Sequence, residues 1–270
     1  MISLTTQDPI RLVQITDTHL YGSATGTLLK MNTGETFDSV LDLVDKQEEE
    51  IDLILATGDI AQDATVTAYR QFIEGMARFD APFRWIPGNH DSASLMIEVG
   101  GKASGKEVRI NNWQILFLDS SVEGQVHGRL TPVELQFLEA GLEAAAQDAS
   151  VAHCLICLHH NPVKGSAAWM QDIGLQNGDE FFTVVGRFAK CRCVVYGHIH
   201  QELDFEHRGV RCLCTPSTCI QFKPDVINFA LDRRNPGYRT LELFGNGDIQ
   251  TQVSRITGFA SAADFRSTGY

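Results

Sequence analysis

Short apolar runs recur along the chain, and several end in a cluster of Gly, Asp, Asn or His. Leu12 to Ile15, Leu53 to Ala56, Phe83 to Ile86, Val151 to Leu158 and Cys193 to Tyr196 have the length and composition of buried strands. Stretches of helical period lie between them. Asn32 with Glu35 forms a capping box ahead of Phe37, Val40, Leu41 and Val44, which share one helical face. The run Glu48-Glu49-Glu50 reads as the solvated end of that helix. Tyr69, Phe72 and Met76 mark a second amphipathic helix, with Asp63 as its expected cap. Thr131-Pro132-Val133-Glu134 is a further helix start, with Thr as cap and Pro in the first turn, continued by Leu135, Leu138 and Leu142. The last helical stretch is Glu180 to Lys190.

Elsewhere the pattern is β. Asn111-Asn112 reads as a tight hairpin turn between Val108–Ile110 and Trp113–Leu118. Leu203–His207 and Val210–Cys214 alternate about Arg208-Gly209, and strands are expected at Ile227–Leu231, Tyr238–Phe244 and Ile249–Val253. Two mixed sheets facing each other with helices outside would bury this many strands, so the fold class is α/β in one domain over residues 1–256. The tail, 257–270, is polar with no core face; it is expected either to be loosely attached or to pack on a neighbouring subunit, as in a homodimer.

A chain of 270 residues with 43% hydrophobic and 21% charged residues is ordinary for a globular enzyme. Its formal charge of -12 argues against a nucleic-acid partner, which needs a basic face, so local metal charge would have to attract an anionic substrate. No apolar run approaches a membrane span and the start lacks a signal-peptide pattern, so a cytoplasmic location is expected. Seven cysteines read as reduced, buried thiols rather than a disulfide framework. Strand spacing places Cys191 with Cys193 and Cys212 with Cys214 on one face each, and Cys154 and Cys157 on opposite faces.

The chemistry stands at the strand ends. Asp17-x-His19, Gly58-Asp59, Gly88-Asn89-His90-Asp91, His159-His160 and Gly197-His198-Ile199-His200 each follow an apolar run. Open α/β sheets bind ligands at this position. Carboxylates mixed with neutral imidazoles suit borderline divalent metals such as iron, manganese or zinc. The set points to two ions, with Asp59 as the bridge.

In order and spacing these motifs resemble the signature of the calcineurin-like metallophosphoesterases, over nearly the whole chain. Gln14–Leu20, Ala56–Asp59, Gly197–Leu203 and Thr215–Pro224 are similar to the bacterial class III 3',5'-cyclic AMP phosphodiesterases. The resemblance implies a four-layer α/β/β/α sandwich. It implies one metal on Asp17, His19, Asp59 and His200, and a second on Asp59, Asn89, His159 and His198. His160 is the alternative to His159 as ligand. A hydroxide between the metals would attack phosphorus, His90 would protonate the leaving oxygen, and Asp91 would orient His90. The substrate, a small cyclic nucleotide, would lie against His19, Asp59, Asn89, His90, His200 and Thr218, with Ser217–Lys223 as part of its wall. The implied reaction is hydrolysis of cyclic AMP to 5'-AMP. The alternatives are another phosphodiester or a phosphomonoester as substrate, and a non-catalytic interaction protein that kept the fold.

Overall fold

The computed structural model describes residues 8–269. In chain order the main elements begin with β1 (Ile10–Ile15), α1 (Thr33–Gln47), β2 (Leu53–Ala56), α2 (Val66–Met76), β3 (Phe83–Trp85) and α3 (Ala93–Gly100). The hairpin of β4 (Glu107–Ile110) and β5 (Trp113–Phe117) follows, then α4 (Pro132–Gln147), β6 (His153–Cys157), α5 (Gly178–Val185) and β7 (Cys191–Tyr196). Two antiparallel pairs come last, β8 (Leu203–His207) with β9 (Val210–Cys214) and β10 (Gly237–Leu243) with β11 (Ile249–Arg255). One sheet has the order β11-β10-β1-β2-β3 and the other β8-β9-β7-β6-β5-β4. Parallel pairing runs through β1, β2 and β3 in the first and through β9, β7, β6 and β5 in the second.

Strand alternation sorts the apolar side chains into three layers. Leu12, Leu53 and Leu55 of the first sheet meet Phe117, Leu155 and Val195 of the second. Val13, Ile15 and Ile54 point the other way, into a layer with Phe37, Leu41 and Phe72 of α1 and α2. Leu116, Ile156 and Val194 share the third layer with Leu138, Leu142 and Phe181 of α4 and α5. The result is the four-layer α/β/β/α sandwich. Each fully buried Leu, Ile or Phe contributes roughly 1.5–3 kcal/mol, so the strands that carry the loops are anchored on both faces.

The capping box is present: Asn32 accepts from Glu35 N at 3.1 Å and donates to Glu35 Oε1 at 3.1 Å. Several local expectations shift. The cap of α2 is Thr65, which accepts from Ala68 N; Asp63 stands two residues earlier and accepts from Thr65 N and Oγ1. The helix expected at Glu180–Lys190 is α5, which starts at Gly178 and stops at Val185. Of the strand expected at Ile227–Leu231, only Leu231 pairs, against Phe222, and Ile227 is 78% exposed. Helix α3 is short and apolar, with no clear polar face, and the patterning did not call for it.

All seven cysteines are free and buried. Cys154 and Cys157 do face opposite layers, and Cys212 and Cys214 share one. Cys191 and Cys193 do not. Cys154 pairs with Cys191 but Leu155 pairs with Cys193, so an irregularity at Arg192 sends Cys191 outward to the α4–α5 layer and Cys193 inward between the sheets. The tail also has a core face after all. Phe259 and Phe265 pack against the body, Asp264 N donates to Leu29 O at 2.9 Å, and Asp264 pairs with Lys30 at 2.6 Å. No described helix is long and apolar enough to cross a membrane.

Candidate metal centre

Parallel strands from both sheets deliver their carboxyl ends to one edge of the sandwich. The turn after β1 carries Asp17 and His19, that after β2 Asp59, and that after β3 Asn89 and His90. His159 follows β6, and His198 and His200 follow β7. Asp17, His19, Asp59, His198 and His200 all have left-handed backbone, with φ of 54, 48, 49, 69 and 46°. Residues with a Cβ avoid that region, at of order 1–3 kcal/mol each, and such strain persists only where the surroundings enforce it. Here Asp17 N donates to Gly58 O at 3.0 Å, His19 N to Asp59 O at 2.9 Å, and His198 N to Asp17 Oδ1 at 3.0 Å. Gly88 has no room for a side chain, because a Cβ would fall on the Asp59 carboxylate and amide.

The hydrogen bonds fix which ring nitrogens are left over. His19 Nδ1–H donates to Gln62 Oε1 at 2.7 Å and His200 Nδ1–H to Ile220 O at 2.8 Å. Both rings then present a bare Nε2, and these two atoms stand 3.1 Å apart. Two lone pairs at that distance repel each other, and a cation shared between them reverses the sign. Asp17 Oδ1 lies 3.3 Å from the same His200 Nε2.

A second group repeats the arrangement. His159 Nδ1–H donates to Thr57 O at 2.8 Å, while its buried Nε2 makes no hydrogen bond of good geometry and faces Asp59 Oδ2 at 3.2 Å. Asn89 Oδ1 is also buried without a partner. His198 Nε2–H donates to Ile173 O at 2.9 Å, which leaves Nδ1 bare. Asp59 Oδ2 is 3.9 Å from His19 Nε2 as well, so this carboxylate stands between the two groups.

Burial pushes His19 and His198 down to about 3, so both are neutral imidazoles, the form that binds metal. Burial alone would lower His159 too, but the Asp59 carboxylate outweighs it and raises the ring to about 9. Asp59 itself is held well below the usual carboxylate range, the His159, His90 and His19 rings overcoming the cost of burial. A positive charge therefore belongs between Asp59 and His159. The orphaned Asn89 oxygen and the facing Nε2 atoms ask for the same. The donor set of carboxylate oxygens, neutral imidazoles and an amide oxygen fits divalent metal ions.

His160 shares a candidate group with His159 and His198, within 4.8 Å of both. However, its Nδ1 is met by Ser120 Oγ at 2.8 Å and its Nε2 by Val126 O at 3.2 Å. Of the adjacent pair, His159 is the one with a nitrogen to spare.

Residues 10–202 match the calcineurin-like phosphoesterase family. The chain belongs to that family. It is 44% identical over 97% of its length to the 3',5'-cyclic adenosine monophosphate phosphodiesterase CpdA of Escherichia coli strain K12, covering 95% of that protein. To the enzyme of the same description from Vibrio vulnificus it is 40% identical, covering 98% of this chain and 96% of the other. A dimetal phosphatase from Danio rerio superposes with a TM-score of 0.65 at 13% identity, over 91% of this chain and 99% of that one, which is a likeness of fold.

Within this phosphoesterase site the sequence reading missed Gln62. Its Oε1 receives the His19 proton, and its Nε2 donates to His90 Nδ1 at 3.1 Å, so one amide sets the tautomers of both rings. The only local signal is a polar residue between a strand-end ligand and a helix start. Asp91 is engaged elsewhere than expected: its carboxylate accepts from the backbone amides of Gly88, Ile60 and Ala61 at 2.9 to 3.0 Å. It joins the β2 and β3 turns. Burial and the nearby Asp59 charge push Asp91 up to about 7, against the pull of those three donors.

The segment from Ser217 to Phe222 is buried, Thr218 completely. Ser217 Oγ donates to Asp17 O at 2.7 Å, Thr218 N to Thr16 O at 3.3 Å, and Ile220 O receives His200. These bonds brace the turns that carry Asp17 and His200. Lys223, at the end of the expected segment, is exposed, and Thr218 Oγ1 is buried without a hydrogen-bond partner.

Proposed function

We infer that the protein hydrolyses 3',5'-cyclic AMP to 5'-AMP with a dinuclear metal centre. One observation carries the reading: near-full-length likeness to enzymes named for that activity, in a chain whose donor set is complete. Asp17, His19, Asp59 and His200 would hold one ion, and Asp59, Asn89, His159 and His198 the other. Iron or manganese suits this set best, with zinc a further candidate. Two such ions supply positive charge for the phosphoryl oxygens and an acidified water at neutral pH.

The chain's own groups supply the rest. The P–O3' bond breaks as a water oxygen bonds phosphorus, and O3' leaves with a proton. Gln62 Nε2 donates to His90 Nδ1, which favours the tautomer with its proton on Nε2. His90 is thereby prepared to protonate O3'. His90 N donates to Asp59 Oδ1 at 2.9 Å, so the proton donor and the bridging carboxylate move as one unit. His19, Asp59, Asn89, His90 and His200 form the floor on which the phosphate would rest. Seven buried free thiols favour a reducing compartment, and we place the enzyme in the cytoplasm.

The test is a panel of cyclic AMP, linear diesters and phosphomonoesters, with the product identified by chromatography. We expect cyclic AMP to have the highest kcat/KM and 5'-AMP to be the sole nucleotide product. A preference for monoesters, or release of 3'-AMP, would overturn the assignment.

A further inference from the structure

Besides the metal pocket, the strand ends border one apolar cavity that no step above uses. Its volume is about 140 Å³, and Trp85, Ile86, Pro87, Met96 and Phe117 form its walls. Two larger cavities, about 570 and 600 Å³, lie at the other end of β1, around Arg11 and the acidic run Glu48–Glu50, far from the catalytic turns. The smaller one sits beside the chemistry. Pro87 precedes the ligand Asn89 by two residues. On the opposite side Asp119 adjoins Ser120, whose hydroxyl meets His160 at 2.8 Å. Ala93, the first residue of α3, completes the rim next to the Asp91 turn.

A cavity of this size is well under the ~300–1,000 Å³ of a complete small-molecule site, so it takes one part of a ligand. Flat apolar walls suit an aromatic ring. The polar groups at the mouth are charged but unequal. Glu134 is neutralised by Lys106 and also accepts from Asp119 N at 3.2 Å. Asp119 has no ion pair among the described residues; its Oδ1 accepts from Ser121 N at 2.8 Å and from Ser121 Oγ at 2.6 Å, which fixes the carboxylate in place. A fixed acceptor at the mouth of an apolar slot selects a ring that carries an N–H donor.

We propose that this cavity is the base site, in which the purine of the cyclic nucleotide lies between the Pro87 and Phe117 walls with its exocyclic amine on Asp119. The proposal rests on the cyclic nucleotide reading above and adds the residues that select the base. It accounts for specificity on the Asn89 side of the centre.

Ala93→Phe fills the cavity from its rim. With metal-reconstituted enzyme, the ratio of kcat/KM for cyclic AMP to that for bis(4-nitrophenyl) phosphate, which has no base, is expected to fall at least about tenfold. A second variant guards against misfolding of the first. Wild-type enzyme is expected to prefer cyclic AMP over the 3',5'-cyclic phosphate of purine riboside, which lacks the amine, by about tenfold, the worth of a hydrogen bond to a charged group. In Asp119→Ala that preference is expected to disappear. An unchanged substrate ratio in Ala93→Phe, or an undiminished preference in Asp119→Ala, overturns the base site. Failure of the underlying reading looks different: wild-type enzyme that cleaves the nitrophenyl diester and not cyclic AMP, an outcome that removes the base site with it.

Discussion

Asp59→Ala is expected to leave at most one metal per chain and to lower turnover of cyclic AMP by at least about 10³-fold. A single lost electrostatic stabiliser costs ~10²–10³, and Asp59 would serve both ions. Its Oδ2 faces His159 Nε2 at 3.2 Å and His19 Nε2 at 3.9 Å, and its Oδ1 holds the His90 amide at 2.9 Å. Removing the carboxylate takes away a negative charge that the surrounding imidazole rings cannot replace. It also frees the turn that carries His90. The left-handed backbone at residue 59, φ 49°, would keep its main-chain bond from His19 N but lose the side-chain bond to His90 N. Elemental analysis beside steady-state kinetics reads both effects. A variant that keeps two metals and full activity would contradict the bridge.

His90→Ala should separate binding from chemistry. Metal content is expected to stay at the wild-type level while turnover of cyclic AMP falls by on the order of 10²–10⁴, the usual worth of a positioned proton donor. The diagnostic comparison is between leaving groups. The O3' of ribose needs a proton as it departs, whereas nitrophenolate needs little, so the nitrophenyl diester should lose much less. Equal losses on both substrates would make His90 a phosphate-binding group. A fall in metal content would make it a ligand, a role that its place within 4.8 Å of the His19 and Asp59 donor atoms also allows.

The turns that carry Asp17, His19, Asp59, Asn89, His90, His159, His198 and His200 were legible in the sequence because the signal is local. An apolar run buried on both faces identifies a strand, and five such runs each followed by Asp, Asn or His exceed what helix capping requires. The four-layer fold followed from the same runs. What escaped was decided by contacts between distant residues. Gln62 gains its role only when folding brings it to His19, 43 residues away, and to His90, 28 residues away. Cys191 and Cys193 should share a face by spacing, and the irregularity at Arg192, visible only through the partner strand, separates them. Ser217 to Lys223 matched enzymes of the family and invited a substrate role. Its hydrogen bonds to Asp17 O and from His200, formed across about 200 and 20 residues, became visible only in the fold.

The central claim, that two ions held by these strand ends carry out hydrolysis of cyclic AMP, is tested most directly by metal titration. The protein is stripped with a chelator, Mn²⁺ or Fe²⁺ is returned in measured steps, and bound metal and 5'-AMP formation are followed together. Turnover is expected to be negligible in the stripped protein and complete when two ions per chain are bound. Undiminished cyclic AMP hydrolysis in stripped protein, or full activity at one ion per chain, would contradict the claim.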